Sequence, residues 1–416
     1  MKMRSARYAR LEAMSTRRLY YDDAFKDSFT AQVLSCQPLS DSLAGHETTC
    51  WGVILDQTQL YPASGGQPSD RGKLGEANVL DVRDVENDDV LHVVDRPLPT
   101  GRVEGCIHWP RRFDHMQQHS GQHLLSAVFH ERFGLPTVSF HLGDSVSSVD
   151  LSGPQPSFQV LEGAARAANA VIFEDREITL RYGTAEQFAR LGVRKQVERS
   201  GILRAIEIAG IDLQPCGGTH VRRTGQIGII LIRSCSKIRQ DWRVEFVCGG
   251  RAEASARRDA ERLARLAAQC KCAPNDVDAA VERLLHERER SEKNLRTLMP
   301  KLAEAEAASR QKSVAPRADG TVVFAGVLES VEPEYLQLLA TALTRSGKSV
   351  ALLALKETGS LVFAQNPAVG KEMDALLKRV VDQLGGKGGG TRDFARGAPA
   401  HPAKAPAALD LAKTLL

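Results

Sequence analysis

The sequence predicts an α+β fold in four segments: a small β-barrel over 18–110, an α/β domain with a candidate metal site over 111–250, a helical hairpin or coiled coil over 251–315, and a C-terminal α/β domain over 316–416. Three observations carry this prediction. Short β-rich runs punctuated by Gly, Pro, Asp and Asn fill the first segment. The composition shifts after Gly250 to Ala, Arg and Glu with helical periodicity. Between these regions lie two pairs of metal-binding residue types, each pair four apart in HSGQH and CGGTH.

The bulk numbers fit several soluble domains. A chain of 416 residues exceeds one ordinary core. Its 42% hydrophobic and 25% charged content excludes a disordered chain. No apolar stretch approaches the roughly 18 residues that span a bilayer. The first thirteen residues are basic but lack an apolar signal-peptide core, and Met14 offers a second start. They are left out of the fold expectation, and the location expected is cytoplasmic with no membrane partner. A net charge of +4 does not by itself demand nucleic acid. The eight cysteines are scattered, which argues against structural disulfides. Cys36, Cys50, Cys106, Cys235 and Cys248 read as buried thiols.

In order along the chain, WGVILD, NVLDVRDV and VLHVV read as barrel strands. Ser120–Phe133 reads as a helix stopped by Gly134 and Pro136. SVSSVDL alternates as a strand, FQVLEGAARAANAVIFED is an amphipathic helix, and EITLRYG, IGIILIRSCSKI and WRVEFVCG are strands. Arg251–Gln269 is helical. Asn275 and Asp276 can cap a second helix with Val277, Val281, Leu284, Leu295, Leu298 and Leu302 on one stripe, kinked or ended at Pro300. Ala315–Asp319 is a linker. TVVFAGV, SVALLAL and SLVFAQ are then strands, Glu334–Arg345 and Glu372–Leu384 helices, and GGKGGGTRDFARG a glycine-rich loop.

On a helix, residues i and i+4 share a face. His119 and His123 can therefore place two imidazoles on one ion, and by geometry so can His115 and His119. All three do not converge well, because eight residues turn roughly 80° past two full turns. In CGGTH, the two glycines allow a loop to bring Cys216 and His220 together. Two helix nitrogens with one loop sulfur and one loop nitrogen suit Zn²⁺, one per chain.

HSGQHLL followed about 90 residues later by CGGTH resembles the editing domain of alanyl-tRNA synthetases and the free-standing AlaX editing proteins, and shares its metal pattern with the threonyl-tRNA synthetase editing domain. The resemblance implies that the ligands are His119, His123, Cys216 and His220, leaving His115 as a helix-start residue. LYPASGGQPSDRG resembles the tyrosine–proline and serine–glycine–glycine–glutamine signature of the same proteins. Its glycines allow a tight turn, and the Gln67 amide can both donate to and accept from a small hydroxyl. SFHLGDSVSSVDL resembles the family's strand ending in an aspartate, here Asp150, and RVEFVCGGRA its closing segment. The resemblance thus implies Gln67 and Asp150 as catalytic and Ser64, Gly65, Gly66 and Thr219 as substrate-binding.

The resemblance extends from about Arg18 to Leu416. GGKGGGTRDFARG resembles the glycine-rich segment of the DHHA1 domain, implying tRNA contacts by Lys387, Gly388, Gly389, Gly390 and Arg392. ATP binding would come from family membership alone. No segment is left for an aminoacylation core, and no GxxxxGK[ST] phosphate loop is present. The implied activity is that of a free-standing hydrolase of the long AlaX type, cleaving serine, or glycine, from tRNA(Ala). The chemical logic is that an alanine pocket excludes a smaller group or an added hydroxyl poorly. Four protein ligands make a closed set, so an attacking zinc and an organising zinc both remain open. Two other readings are editing of seryl-tRNA(Thr) and a non-catalytic zinc-containing tRNA-binding factor. The hairpin and C-terminal domain are expected to bind the tRNA body or to form a homodimer.

Overall fold

Six strands close an N-terminal barrel in the computed structural model, which describes residues 15–39, 50–85, 88–191, 193 and 201–416. In chain order they are β1 (Ser28–Pro38), β2 (Trp51–Leu55), β3 (Gly72–Leu74), β4 (Ala77–Asp84), β5 (Val90–Val94) and β6 (Gly101–Ile107). Around the barrel the order is β1-β2-β5-β4-β3-β6, closed by β6 on β1. Alternation along the strands, reset on β4 by an irregularity between Val79 and Asp81, points Val33, Val53, Leu55, Leu74, Val79, Val82 and Val103 into one core. The same alternation turns Cys106 outward, so it is exposed rather than buried.

The central element is α1 (Trp109–Phe133). Pro110 sits in its first turn, and Gly134 ends it in the left-handed conformation at φ 64°. The helix begins eleven residues before the expected Ser120. His115 is therefore interior to the helix and not at its start. From Gln118 to Phe129 every residue is buried, polar or not. A helix buried all round shows no amphipathic stripe, which hides its true start from the sequence.

Against α1 lie α2 (Phe158–Phe173) and the sheet formed by β7 (Thr137–Leu142), β8 (Ser147–Leu151), β12 (Ile230–Ile238) and β13 (Asp241–Cys248). That sheet has the order β12-β13-β8-β7. A separate three-stranded sheet comprises β9 (Ile178–Gly183), β10 (Leu203–Ile208) and β11 (Asp212–Pro215), with the short α3 (Ala185–Arg190) following β9. Ser157 caps α2 by accepting from the Val160 amide.

One fully buried ion pair fastens the barrel to α1. Arg112 donates from Nε and Nη2 to Asp70, from Nη2 to the Gln59 carbonyl at 2.7 Å and from Nη1 to the Ala24 carbonyl at 2.9 Å. Asp70 also accepts from the Tyr61 amide at 2.7 Å. Neither charged side chain reaches solvent.

The chain divides into two compact units, Met1–Leu263 and Ala264–Leu416. The boundary falls inside α4 (Gly249–Cys270). A turn with Lys271 at φ 53° leads to α5 (Val277–Ser313), which runs through Pro300 instead of ending there. Of its apolar stripe, Val277 is buried, whereas Val281, Leu284, Leu295, Leu298 and Leu302 are exposed.

In the second unit, β14 (Val322–Leu328), β15 (Ser349–Leu355), β16 (Leu361–Gln365), β17 (Lys387–Gly390) and β18 (Phe394–Ala398) form a sheet of order β14-β15-β16-β18-β17. Both faces are covered. Ala351, Leu353 and Leu355 pack toward α6 (Pro333–Leu343), while Val350, Leu352 and Ala354 pack toward α7 (Met373–Leu384) and α8 (Ala405–Leu415). Burial on both faces explains why SVALLAL is continuously apolar. The glycine-rich segment is not a loop. Lys387–Gly390 is an exposed edge strand paired with β18, and a Cβ on Gly390 would meet the Phe394 carbonyl oxygen at 2.3 Å. No helix among the described residues is long and apolar enough to cross a membrane.

Candidate metal centre

The structure brings His119, His123, Cys216 and His220 together, with their ligand atoms all within 4.8 Å of one another. His119 and His123 project from one face of α1. Cys216 and His220 come from the loop that follows β11. Cys216 Sγ lies 3.5 Å from His119 Nε2 and 3.3 Å from His220 Nε2. A tetrahedral zinc with bonds of about 2.3 Å to sulfur and 2.0–2.1 Å to nitrogen separates its S and N ligands by about 3.5 Å. The donor set and spacing fit that ion.

Each histidine is held at its other nitrogen by a different part of the fold. His119 Nδ1 meets Gln67 Oε1 at 2.9 Å, His123 Nδ1 meets Asp212 Oδ2 at 3.3 Å, and His220 Nδ1 meets Ser120 Oγ at 3.1 Å. Such partners fix the ring and its tautomer so that Nε2 would be the nitrogen offered to an ion. The Ser120 hydroxyl also accepts from the Val221 amide at 3.2 Å, tying the loop to α1.

The electrostatics favour the ligating forms of Cys216 and His220, and the protonated form of His123. Burial alone would raise the Cys216 thiol, but His119 and His220 outweigh it and hold Cys216 well below its ordinary value. A thiolate is the form that binds metal. Burial and the neighbouring His119 bring His220 down to about 3. Burial acts the same way on His123, yet the Asp212 carboxylate and Cys216 push it up to about 9.

The loop glycines act differently from the expectation. Neither Gly217 nor Gly218 has a positive φ. Instead, a Cβ on Gly218 would lie 2.2 Å from His119 Cε1 and 3.0 Å from Gln67 Oε1. Glycine is needed there because the loop backbone lies against the ligand ring. Arg204 on β10 holds the loop by donating from Nη1 to the carbonyls of Cys216 at 2.7 Å and Gly218 at 3.0 Å.

The SGGQ segment is a tight turn whose last residue enters the site. Ser64 and Gln67 exchange both backbone hydrogen bonds, at 3.1 and 3.0 Å, with Gly65 at φ 55° and Gly66 at φ 81°. Two consecutive positive φ angles suit glycine. Gln67 is buried, and its amide is largely used. Oε1 accepts from the Thr219 amide at 3.0 Å as well as from His119, and Nε2 donates to Thr219 Oγ1 at 2.8 Å. Thr219 is fully buried, while Ser64, Gly65 and Gly66 are exposed.

Asp150 lies elsewhere. On β8 it faces Ser139 and Arg243 across the sheet, accepting from Arg243 at 2.8 and 2.9 Å and from Ser139 Oγ at 2.5 Å. Its strand neighbour Val149 pairs with Phe140, whose ring centroid is 5.8 Å from that of His119. Strand alternation therefore turns Asp150 away from the face that carries Phe140. Lys387, Gly388, Gly389 and Gly390 lie on edge strand β17 and Arg392 just beyond it, in the second unit. Sequence reasoning missed Ser120, Asp212 and Arg204. Ser120 stood within HSGQH itself, but for Asp212 and Arg204 no local pattern marks a partner that only folding supplies.

Residues 203–243 match the family model described as the threonyl and alanyl tRNA synthetase second additional domain, a stretch that includes Cys216, Thr219 and His220. The chain is 30% identical over 393 residues to alanyl-tRNA editing protein AlaX-L of Pyrococcus horikoshii, covering 91% of this chain and 94% of that one. It is 30% identical over 385 residues to alanyl-tRNA editing protein Aarsd1 of Mus musculus, covering 89% and 91%. Alanine–tRNA ligase of Thermococcus kodakarensis is 30% identical over 416 residues, covering 96% of this chain and 44% of the ligase.

Proposed function

The chain belongs to the alanyl-tRNA editing protein family, and on that premise we propose that it is a hydrolase that removes serine, or glycine, from mischarged tRNA(Ala) and carries out no aminoacylation itself. The observation that carries this reading is the convergence of three imidazole nitrogens and a thiolate beside the buried Gln67–Thr219 pair. One Zn²⁺ per chain would be held by His119, His123, Cys216 and His220. When bound, it supplies Lewis-acid polarisation of an ester carbonyl or of water.

The chain's own residues do the rest. Gln67 and Asp212 orient two of the imidazoles, and Ser120 orients the third. The exposed Ser64–Gly66 turn borders the site and leaves room for a substrate's backbone. The Thr219 hydroxyl accepts from Gln67, which leaves its own proton to donate. Gln67 keeps one amide hydrogen beyond its bond to Thr219. A serine side chain can thus be met by the pair, where an alanine methyl leaves both groups unanswered. Asp150, ion-paired on the other sheet face, supports the fold in this reading instead of the chemistry.

The second unit is proposed to contact the tRNA body through Lys387, Gly388, Gly389, Gly390 and Arg392, as an exposed edge strand and its adjacent turn. The exposed stripe Leu295, Leu298 and Leu302 supports a homodimer through this region. Sedimentation checks the latter, and a monomeric mass would refute it.

The test of function is a deacylation assay on Ser-, Gly- and Ala-tRNA(Ala) with Ser-tRNA(Thr) alongside. Faster release from Ser-tRNA(Ala) than from Ala-tRNA(Ala) is expected. Release from Ser-tRNA(Thr) alone, or tRNA binding with no release in single turnover, would overturn the reading.

A further inference from the structure

His115 is buried within α1, 1% exposed, and neither ring nitrogen has a hydrogen-bond partner. Buried polar atoms without a partner are uncommon and call for a ligand or a water. Its Nε2 lies 4.0 Å from Asp144 Oδ1, too far for a hydrogen bond. Asp144 sits on the turn between β7 and β8, and its side chain is 71% exposed. The same oxygen accepts from Arg111 Nη1 at 2.9 Å. Arg111 is anchored below by Nε on the Ser69 carbonyl at 3.0 Å. Arg251 closes the other side, donating to the Gly143 carbonyl at 2.6 Å and to Asp114. A carboxylate from an exposed turn thus lies over an unpaired imidazole flanked by two arginines, and moving that carboxylate aside would open a recess there.

We propose that this recess binds a phosphodiester of the RNA substrate, with the Asp144 carboxylate holding its place until RNA arrives. The proposal rests on the reading that the substrate is an aminoacyl-tRNA. Asp144 meets Arg111 but leaves His115 unanswered. A phosphodiester shares one negative charge over two non-bridging oxygens and is not tethered to the turn, so it can be placed to accept from both. An exposed ion pair such as Asp144–Arg111 is weak, so displacement is easy. The recess also adjoins the active site. The Leu142 amide, two residues before Asp144, donates to the Gly66 carbonyl at 3.2 Å in the turn that delivers Gln67. Gly65 beside it has open space where a Cβ would stand. A phosphate held here would run the acceptor strand past that turn.

The experiment measures binding of deacylated tRNA(Ala) at several salt concentrations to the full chain and to variants. Asp144→Asn is expected to bind roughly two- to fivefold more tightly, the range that loss of one weak competing ion pair allows. Glu104→Gln, which removes the same charge from an exposed position on β6, should change little. Adding Arg111→Gln to Asp144→Asn should cancel the gain and reduce the salt slope by about 0.7, the value for one single-strand phosphate. Unchanged or weaker binding by Asp144→Asn, or an equal gain in Glu104→Gln, overturns the proposal. A gain for inorganic phosphate without one for tRNA assigns the recess to a free anion and overturns the RNA assignment. Ser-tRNA(Ala) deacylation by the unmodified chain, measured in parallel, tests the functional reading separately.

Discussion

Gln67 Oε1 accepts a hydrogen bond from His119 Nδ1 at 2.9 Å across 52 residues of chain, joining the barrel-side turn to the metal-facing helix. Gln67→Ala should therefore loosen the metal as well as the substrate. Loss of such an orienting partner costs about 10- to 100-fold in metal affinity. Competition with a chromogenic chelator reads this directly. Unaltered zinc affinity would show that Gln67 serves the substrate alone.

Asp212 holds His123 as Gln67 holds His119. Asp212→Asn keeps the shape and removes the charge. We expect a similar 10- to 100-fold fall in zinc affinity, with the fold retained by circular dichroism. Cys216→Ala removes a ligand outright, so zinc content should fall well below one per chain. Full zinc retention by the Cys216 variant would refute the ligand assignment.

Asp150 separates a structural role from a catalytic one. The Arg243 guanidinium holds its carboxyl below the usual carboxylate range, with Ser139 assisting against burial. A carboxyl depressed in the folded state contributes stability above its unfolded pKa and loses it as the pH falls through the folded value. Asp150→Asn should thus lower stability by about 1 kcal/mol at pH 7, and the difference should shrink in acid. Urea unfolding at several pH values measures it. Zinc content and deacylation per folded molecule should stay within a few-fold of the unmodified chain; a collapse of activity with zinc intact would restore Asp150 to the chemistry.

The Arg112–Asp70 pair is out of solvent on both sides. Arg112→Leu strands a buried carboxylate, which costs about 3–5 kcal/mol. Replacing both partners, as Arg112→Met with Asp70→Leu, should recover part of that loss, although the carbonyls of Gln59 and Ala24 stay unpaired. Thermal unfolding of the unmodified chain and the two variants gives the comparison. Equal stability of single and double variants would mean that the carbonyl bonds, not the ion pair, dominate.

Lys387→Ala with Arg392→Ala tests the tRNA interactions proposed for the second unit. Each phosphate left without its cation should flatten the salt slope by about 0.7–0.9. An unchanged slope in a filter-binding titration would exclude them.

Much of the site is legible because its ligands sit in short strings. HSGQH places two imidazoles one helical turn apart, and CGGTH packs its pair within one loop, so local geometry is enough to suggest chelation. Spacing alone does not choose between His115 and His123, since both lie four residues from His119. In the fold, His123 meets Asp212 and the thiolate, while His115 is turned to the Asp144 turn. The edge strand at Lys387–Gly390 reads as a loop in sequence because glycine marks both turns and close strand approach.

The sequence by itself determined most of the order of elements and left His115–His119 and His119–His123 as candidate pairs beside Cys216–His220, the choice of His123 being what the resemblance implies, because periodicity and i, i+4 spacing are local properties. Only the tertiary structure decided what each of those residues leans on. Gln67, Ser120 and Asp212 reach the three imidazoles from a turn, the central helix and a strand, and Asp150 is placed on the far face of its sheet. Such partnerships depend on how separate elements pack, and packing joins residues that no sequence window contains together.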